Sequence, residues 1–195
     1  MIRWHHWLGF ATLLALAACA SDPPAQTTPT DTSRTNTSVN PSADAPPVKQ
    51  PLDASRFLAD PCQSLTASQR QTLTLAGGTS DPPHRACEFT NIDARAVAKI
   101  SYSYGTAGLE EVYYLHSRGI LGYWEPTALD GYPAILYESS PDKAKLSCDV
   151  AVGINDSSYF DVRYYFPASD PGGKNPCVEG RAVASAVLST IKSAK

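Results

Sequence analysis

Three kinds of side chain in this 195-residue chain could do chemistry: histidines near serines, carboxylates in pairs, and five cysteines. A hydrolytic nucleophile needs a base within reach and a third group to orient that base. Serines are plentiful, but no G-x-S-x-G elbow occurs. Beyond the first residues the histidines are His84, in a proline-rich loop, and His116, on the apolar side of a helical stretch beside Tyr113. A solvated ring and a packed ring are the simpler readings. Carboxylates that cleave glycosides must face one another across a set gap. Glu110 and Glu111 are neighbours on a helix and read as a wetted face. Asp149 and Asp161 fall on the polar sides of adjoining strands, where Arg163 or Lys145 would neutralise them. There is no glycine-rich phosphate loop and no C-x-x-C, and the histidines are not spaced as ligands, so neither a metal nor a cofactor is expected. The chain does not read as an enzyme.

One cysteine stands apart. Met1 to Trp7 carry a fixed positive charge at Arg3, and the apolar run Leu8 to Leu16 follows, ending in Leu16-Ala17-Ala18-Cys19. A weakly basic start, a short apolar core and small residues are the layout of a secretory signal over residues 1–18. The run falls short of the roughly 20 apolar residues of a spanning helix. An ordinary signal peptide ends without a cysteine; Leu-Ala-Ala-Cys resembles the lipobox of bacterial lipoproteins. That resemblance implies a diacylglyceryl group on the Cys19 thiol and cleavage just before it. Two acyl chains suffice for stable attachment where one myristoyl chain does not. The expected location is the outer face of the cell membrane, lipid-anchored and extracytoplasmic.

Residues 19–51 read as a tether. From Ala20 to Pro51 the chain is rich in Thr, Ser, Pro, Ala, Asp and Asn, with Val39 and Val48 its branched aliphatics. Such a segment cannot bury enough apolar surface to offset its ordering entropy and is expected to be disordered. Its Ser, Thr and Pro content also suits O-linked sugars. Without residues 1–18 the chain keeps 15 basic and 19 acidic side chains. No basic patch follows a nucleic-acid backbone, so nucleic acid is excluded as a partner.

Residues 52–195 have the length of one domain with a real core. Cys62, Cys87, Cys148 and Cys177 remain, an even number that suits an oxidising compartment. Three pairings are open. Loop length favours Cys62–Cys87 with Cys148–Cys177, each closing about 25 to 30 residues.

The elements that must carry these residues follow from periodicity and caps. Asp53 should cap a short helical turn through Leu58. Thr66 and Gln69 form a capping box for a helix from Ala67 to about Leu75, stopped at Gly77-Gly78 and followed by a loop to Arg85. Ala94 to Tyr104 alternates with a period of two, a half-buried strand. A middle helix runs from Leu109 to Ser117. Two strands flank Asp130-Gly131, a hairpin dipeptide, with Pro126 and Pro133 suited to edge positions. Leu146 to Ile154 and Tyr159 to Phe166 form a second hairpin around Asn155 to Ser158. A last helix spans Val178 to Ile191, with Val183, Ala184, Val187, Leu188 and Ile191 as its apolar stripe. The expected fold class is α+β: a mainly antiparallel sheet packed by an N-terminal helical segment, a middle helix and a C-terminal helix, with two disulfides.

Binding is the chemistry best served by the remaining side chains. The chain holds 10 tyrosines, a residue that brings contact area with one polar tip and is enriched at interfaces. Tyr123 with Trp124 could line a groove, and Tyr165 stands on a strand with rings on both faces. Each ring could equally pack between sheet and helix.

Pro51-Leu52-Asp53, Asp60-Pro61-Cys62, Cys87-Glu88-Phe89, Gly131-Tyr132-Pro133-Ala134, Cys148-Asp149-Val150-Ala151-Val152 and the cysteine opening the last helix, behind a lipobox and a Ser/Thr/Pro arm, together resemble an uncharacterised family. This is the domain-of-unknown-function family 3558 of actinobacterial cell-envelope lipoproteins. The resemblance covers most of the chain from about residue 50 and implies an envelope location; it transfers no catalytic residue. The expected role is a binding module for an envelope protein or for a lipid or glycan. A docking subunit without a ligand pocket is the alternative, and an envelope hydrolase comes last.

Overall fold

The computed structural model describes residues 45–167 and 174–194. The leader, Cys19 and the arm up to residue 44 lie outside the described residues. Residues 45–51 of the arm meet the domain. Val48 is buried and its N–H donates to Asp156 Oδ1 at 3.2 Å, while the Leu52 N–H donates to the Ile154 carbonyl at 2.8 Å. The ordered contacts of the domain therefore begin ahead of residue 52.

Helix α1 (Ser55–Ala59) is preceded by Ala54, which offers no capping side chain; Asp53 instead accepts the Ser55 N–H at 2.8 Å. A 3-10 turn, Pro61–Ser64, leads to α2 (Ala67–Thr72), which starts on the expected Thr66/Gln69 capping box. Gln69 also donates to the Ala186 carbonyl at 2.8 Å, so one capping residue ties two helices together.

The next segment differs from expectation. Helix α2 stops at Thr72, and Leu75–Asp81 is strand β1 rather than a loop. Its pairing with β2 (Ala86–Asn91) slips between Ala76 and Thr79. Gly77 (φ 79°) and Gly78 (φ 140°) supply the backbone of that bulge. A bulged edge strand shows no alternation, because only its first residue, Leu75, is buried.

Strand β3 (Ala96–Tyr104) alternates buried and half-buried residues as its period of two requires. Helix α3 (Glu110–Ser117) precedes β4 (Tyr123–Leu129) and β5 (Tyr132–Glu138). Asp130 (φ 47°) and Gly131 (φ 88°) make their two-residue turn, both in the left-handed region that such hairpins need. Strands β6 (Ser147–Asn155) and β7 (Ser158–Tyr165) follow, then α4 (Pro176–Ser193). The seven strands form one antiparallel sheet in the order β1-β2-β3-β7-β6-β5-β4. Pro126 lies on edge strand β4. Pro133 lies on β5, an internal strand, but outside the β6 ladder, which begins at Ala134. There its missing N–H costs no rung.

The sheet has two covered faces. On the first, the α4 stripe (Val183, Ala184, Val187, Leu188, Ile191) meets Phe57, Phe89, Ile100, Tyr102, Val150, Val152, Phe160 and Val162 in the main core. Both disulfides serve this face. Cys62–Cys87 joins the 3-10 turn to β2, and Cys148–Cys177 joins β6 to the start of α4. On the second face, Leu109 and Val112 of the α3 region pack on Ile135 and Ala151. The fold is α+β, as its periodicities require.

Candidate functional site

In antiparallel pairs, residues directly opposite project to the same side of the sheet. The registers then place Trp124, Tyr137, Asp149, Arg163, Lys99, Glu88 and Thr79 in one row across all seven strands on the second face. The neighbouring row brings Ser101, Asp161, Ala151 and Ile135 alongside it.

At the β4 end the row is aromatic. The His116 ring stacks on Trp124 with centroids 4.2 Å apart and planes 5° from parallel, and Tyr113 meets the same indole edge-on at 4.9 Å. Helical spacing puts Tyr113 and His116 on one side of α3, and that side reaches the sheet edge. His116 is exposed and Trp124 half-buried. Tyr114 and Ile120 are also exposed, at 47 % and 52 %.

At its centre the row is charged and buried. Arg163 donates to Asp149 at 2.9 Å and to Glu138 at 3.3 Å, covering both carboxylates while staying 44 % exposed itself. The Ser147 hydroxyl and the Ser139 N–H also bond to Glu138. These bonds and Arg163 outweigh the opposing effect of burial and hold the Glu138 carboxyl below its ordinary range. Asp161, a diagonal neighbour of Asp149, accepts the Tyr137 hydroxyl at 2.8 Å. Burial pushes both Asp149 and Asp161 up, and the charge of Asp161 raises Asp149 further. Such a pair holds one proton well above the usual carboxylate range.

That proton fixes a sign. A carboxyl whose folded pKa is raised contributes stability below its unfolded value and loses it as pH climbs through the folded one. Between about pH 5 and pH 9, above the ordinary carboxylate range, the melting temperature should therefore fall as pH rises. Asp161→Asn keeps an acceptor for Tyr137 and removes one charge, so it should flatten this slope and raise the melting temperature at the alkaline end. Calorimetry across the range measures both; an unchanged slope in the variant would refute the assignment.

The candidate ligand contacts do not converge. Tyr123 and Trp124 are consecutive on β4 and so point to opposite sides. Tyr123 packs against the main core and donates to Glu125 at 2.7 Å. Burial and that carboxylate push its hydroxyl up to about 12. Tyr165 shares the second face with Trp124 but stands on β7, three strands away. A cavity of about 250 Å³ lies between Ala45–Val48, Leu109–Glu110 and Asn155–Asp156. A groove of about 410 Å³ separates α2 from α4. Neither is lined by Tyr123, Trp124 or Tyr165.

Of the ionic expectations, Arg163 does neutralise Asp149, while Lys145 pairs with Asp142 at 3.2 Å. His84 pairs with Asp81 at 2.8 Å on the surface. Among the described residues neither histidine is bonded to a serine, no group of three ligating side chains could hold a metal, and no helix is long and apolar enough to cross a membrane. Glu138, Ser147 and Tyr137 escape sequence reasoning. The strand period could place Ser147, Asp149, Asp161 and Arg163 on one side, but only the pairing of β5 with β6 adds Tyr137, and Glu138 stands just past the end of that ladder.

Comparison with curated proteins finds no match, and neither does comparison with solved structures. A family model does match, over residues 14–190 and thus most of the chain. On that match the chain belongs to the family of proteins of unknown function DUF3558.

Proposed function

We propose that this protein is a lipoprotein of an actinobacterial cell envelope, held at the outer face of the membrane through lipidated Cys19, whose domain is a binding module for an envelope protein or for a lipid or glycan. The anchor reading is supported by Leu16-Ala17-Ala18-Cys19 and by four cysteines that are all paired, as an oxidising compartment favours. The observation that carries binding is the Tyr113–His116–Trp124 cluster. It holds three rings in fixed mutual geometry at the open edge of the sheet. Rigid, partly exposed aromatics lose little entropy when they bind. The cluster lies outside both of these hollows, which favours a shallow surface contact over an enclosed ligand.

Native mass spectrometry of the chain produced in an actinobacterial host tests both halves. A diacylglyceryl mass that vanishes in Cys19→Ala is the expected anchor result. An additional mass removed by organic extraction and absent in Trp124→Ala identifies a small ligand. A bare mass with crosslinks to an envelope protein that are lost in Trp124→Ala gives the docking alternative instead. If Trp124→Ala changes neither, the aromatic cluster is not a binding surface.

A further inference from the structure

We infer that the hollow where residues 51–55 meet the end of β3 and the β6–β7 turn is a saccharide subsite, with Tyr104 as the platform for a sugar ring and Asn155 and Asp53 as partners for its hydroxyls. The subsite is separate from the Trp124 cluster and does not rest on it. Tyr104 continues the buried series Ile100 and Tyr102 of the first face, whereas Trp124 packs on the second.

Strand register builds one wall. Tyr104, the last residue of β3, lies opposite Ser158 of β7, and Ser158 lies opposite Asn155 of β6. The three side chains therefore share a side of the sheet. Ser158 is small and fully buried, so no bulky group parts the phenol from the carboxamide. Tyr104 is 45 % exposed, while Tyr102, two residues earlier, is buried against Phe57 and Phe160. The other wall is the segment leading into α1. The Leu52 N–H bond to the Ile154 carbonyl, at 2.8 Å, fixes that segment beside Asn155, and Ala54 and Phe57 root it in the main core. Between the walls lies a hollow of about 460 Å³ lined by Pro51, Leu52, Asp53, Ser55, Tyr104 and Asn155. That volume is within the range of small-ligand sites.

The lining selects the ligand. Asn155 Oδ1 accepts the N–H and the hydroxyl of Ser157, at 2.9 and 3.0 Å, which fixes the carboxamide and leaves its Nδ2 to donate. Asp53 is held in the same way: Oδ1 accepts the Ser55 N–H at 2.8 Å, and Oδ2 remains to accept. Both groups are positioned by local bonds before a ligand arrives, so binding freezes little further rotamer freedom. Tyr104 adds an exposed ring, whose negative face attracts the polarised C–H groups of a sugar. A donor, an acceptor and a ring face around a hollow with no basic side chain suit an uncharged polyol. A phosphate or carboxylate ligand would meet Asp53 and no cation. A quaternary ammonium would find one ring where such ligands are held by a cage of several, and it would leave the Asn155 amide without a partner.

Saturation-transfer NMR of the full chain in a non-glycosidic detergent tests the assignment, with maltotriose, cellotriose and mannotriose as probes. At least one of these uncharged glycans should receive saturation from the protein in a dose-dependent, saturable manner. Tyr104→Ala and Asn155→Asp should each weaken that binding by about tenfold, the scale of one lost aromatic or hydrogen-bonded contact. Asn155→Asp keeps the oxygen that Ser157 uses and removes the amide donor, so the turn itself stays formed. Trp124→Ala should bind as the parent chain does, which separates this subsite from the aromatic cluster. The subsite is overturned if none of the three glycans binds saturably, or if binding is unchanged in both Tyr104→Ala and Asn155→Asp. Loss of binding in Trp124→Ala, or capture of choline in place of every glycan, would overturn it as well.

Discussion

Replacing Cys148 and Cys177 together by alanine is expected to lower the unfolding free energy by about 3 to 4 kcal/mol, the loop-entropy value for a closed segment of this size. The bridge spans 29 positions, and that segment contains all of β7. Both sulfurs lie in the main core, so the alanines also leave unfilled space. For a domain of this length the loss corresponds to a fall in melting temperature of roughly 10 °C. The single replacements should each cost at least as much, because they leave a lone buried thiol. Chemical denaturation of parent and variants without reductant gives the number directly. A loss below about 1 kcal/mol, the scale of an ordinary point substitution, would mean that packing of α4 alone holds β6, and that the covalent clamp is redundant.

The partners of this bridge are legible in the sequence itself. Loop length favours one pairing among three, and the fold has that pairing. The helical stripe from Val183 to Ile191 and the two-residue period from Leu146 to Phe166 are legible for a related reason. Both segments border the main core, so burial is written into their apolar spacing. Strand β1 is illegible because it is an edge. A strand that buries only Leu75 and bends at Gly77-Gly78 carries the composition of a loop.

The second face is half legible, and its physics explains the half that is lost. Asp149 and Asp161 look like residues of a wet strand face, and polar residues at alternating positions usually mean solvent. Here every residue from Ser147 to Ile154 is buried. Helix α3 and the Arg163 side chain cover what the alternation would leave open. The cost of burying Glu138 and Asp149 beside half-buried Asp161 is offset by one guanidinium, two hydroxyls and a retained proton, partners drawn from three strands. Local sequence cannot announce such a set, because no two strands of it are sufficient. The pairing of Tyr123 with Trp124 fails in the opposite way: adjacency in sequence guarantees opposite faces on a strand.

Gly180→Leu should be nearly as damaging as loss of the Cys148–Cys177 bridge, at about 3 kcal/mol, the upper part of the range for overpacking a filled interface. Gly180 is buried near the start of α4, where a Cβ would stand 3.3 Å from both Tyr164 Cβ and Val150 Cγ2. Helix and sheet touch there almost backbone to backbone. A leucine side chain has no space to enter, so α4 must lift, and with it the stripe that begins at Val183. Alanine makes the contrast informative. It gains about 1 kcal/mol of helix propensity over glycine, and a few tenths of an ångström of adjustment admits its methyl, so Gly180→Ala should be close to neutral. Denaturation midpoints for the two variants, each retaining the disulfide, decide the matter. Equal stability for Ala and Leu would show that the helix is free to shift at this point. A large loss for Leu alone would place the closest approach of α4 to the sheet at the same point as its covalent tie, one turn after Cys177. The carboxyl-terminal helix would then be fixed at its amino-terminal end and supported by side-chain packing along the rest of its length.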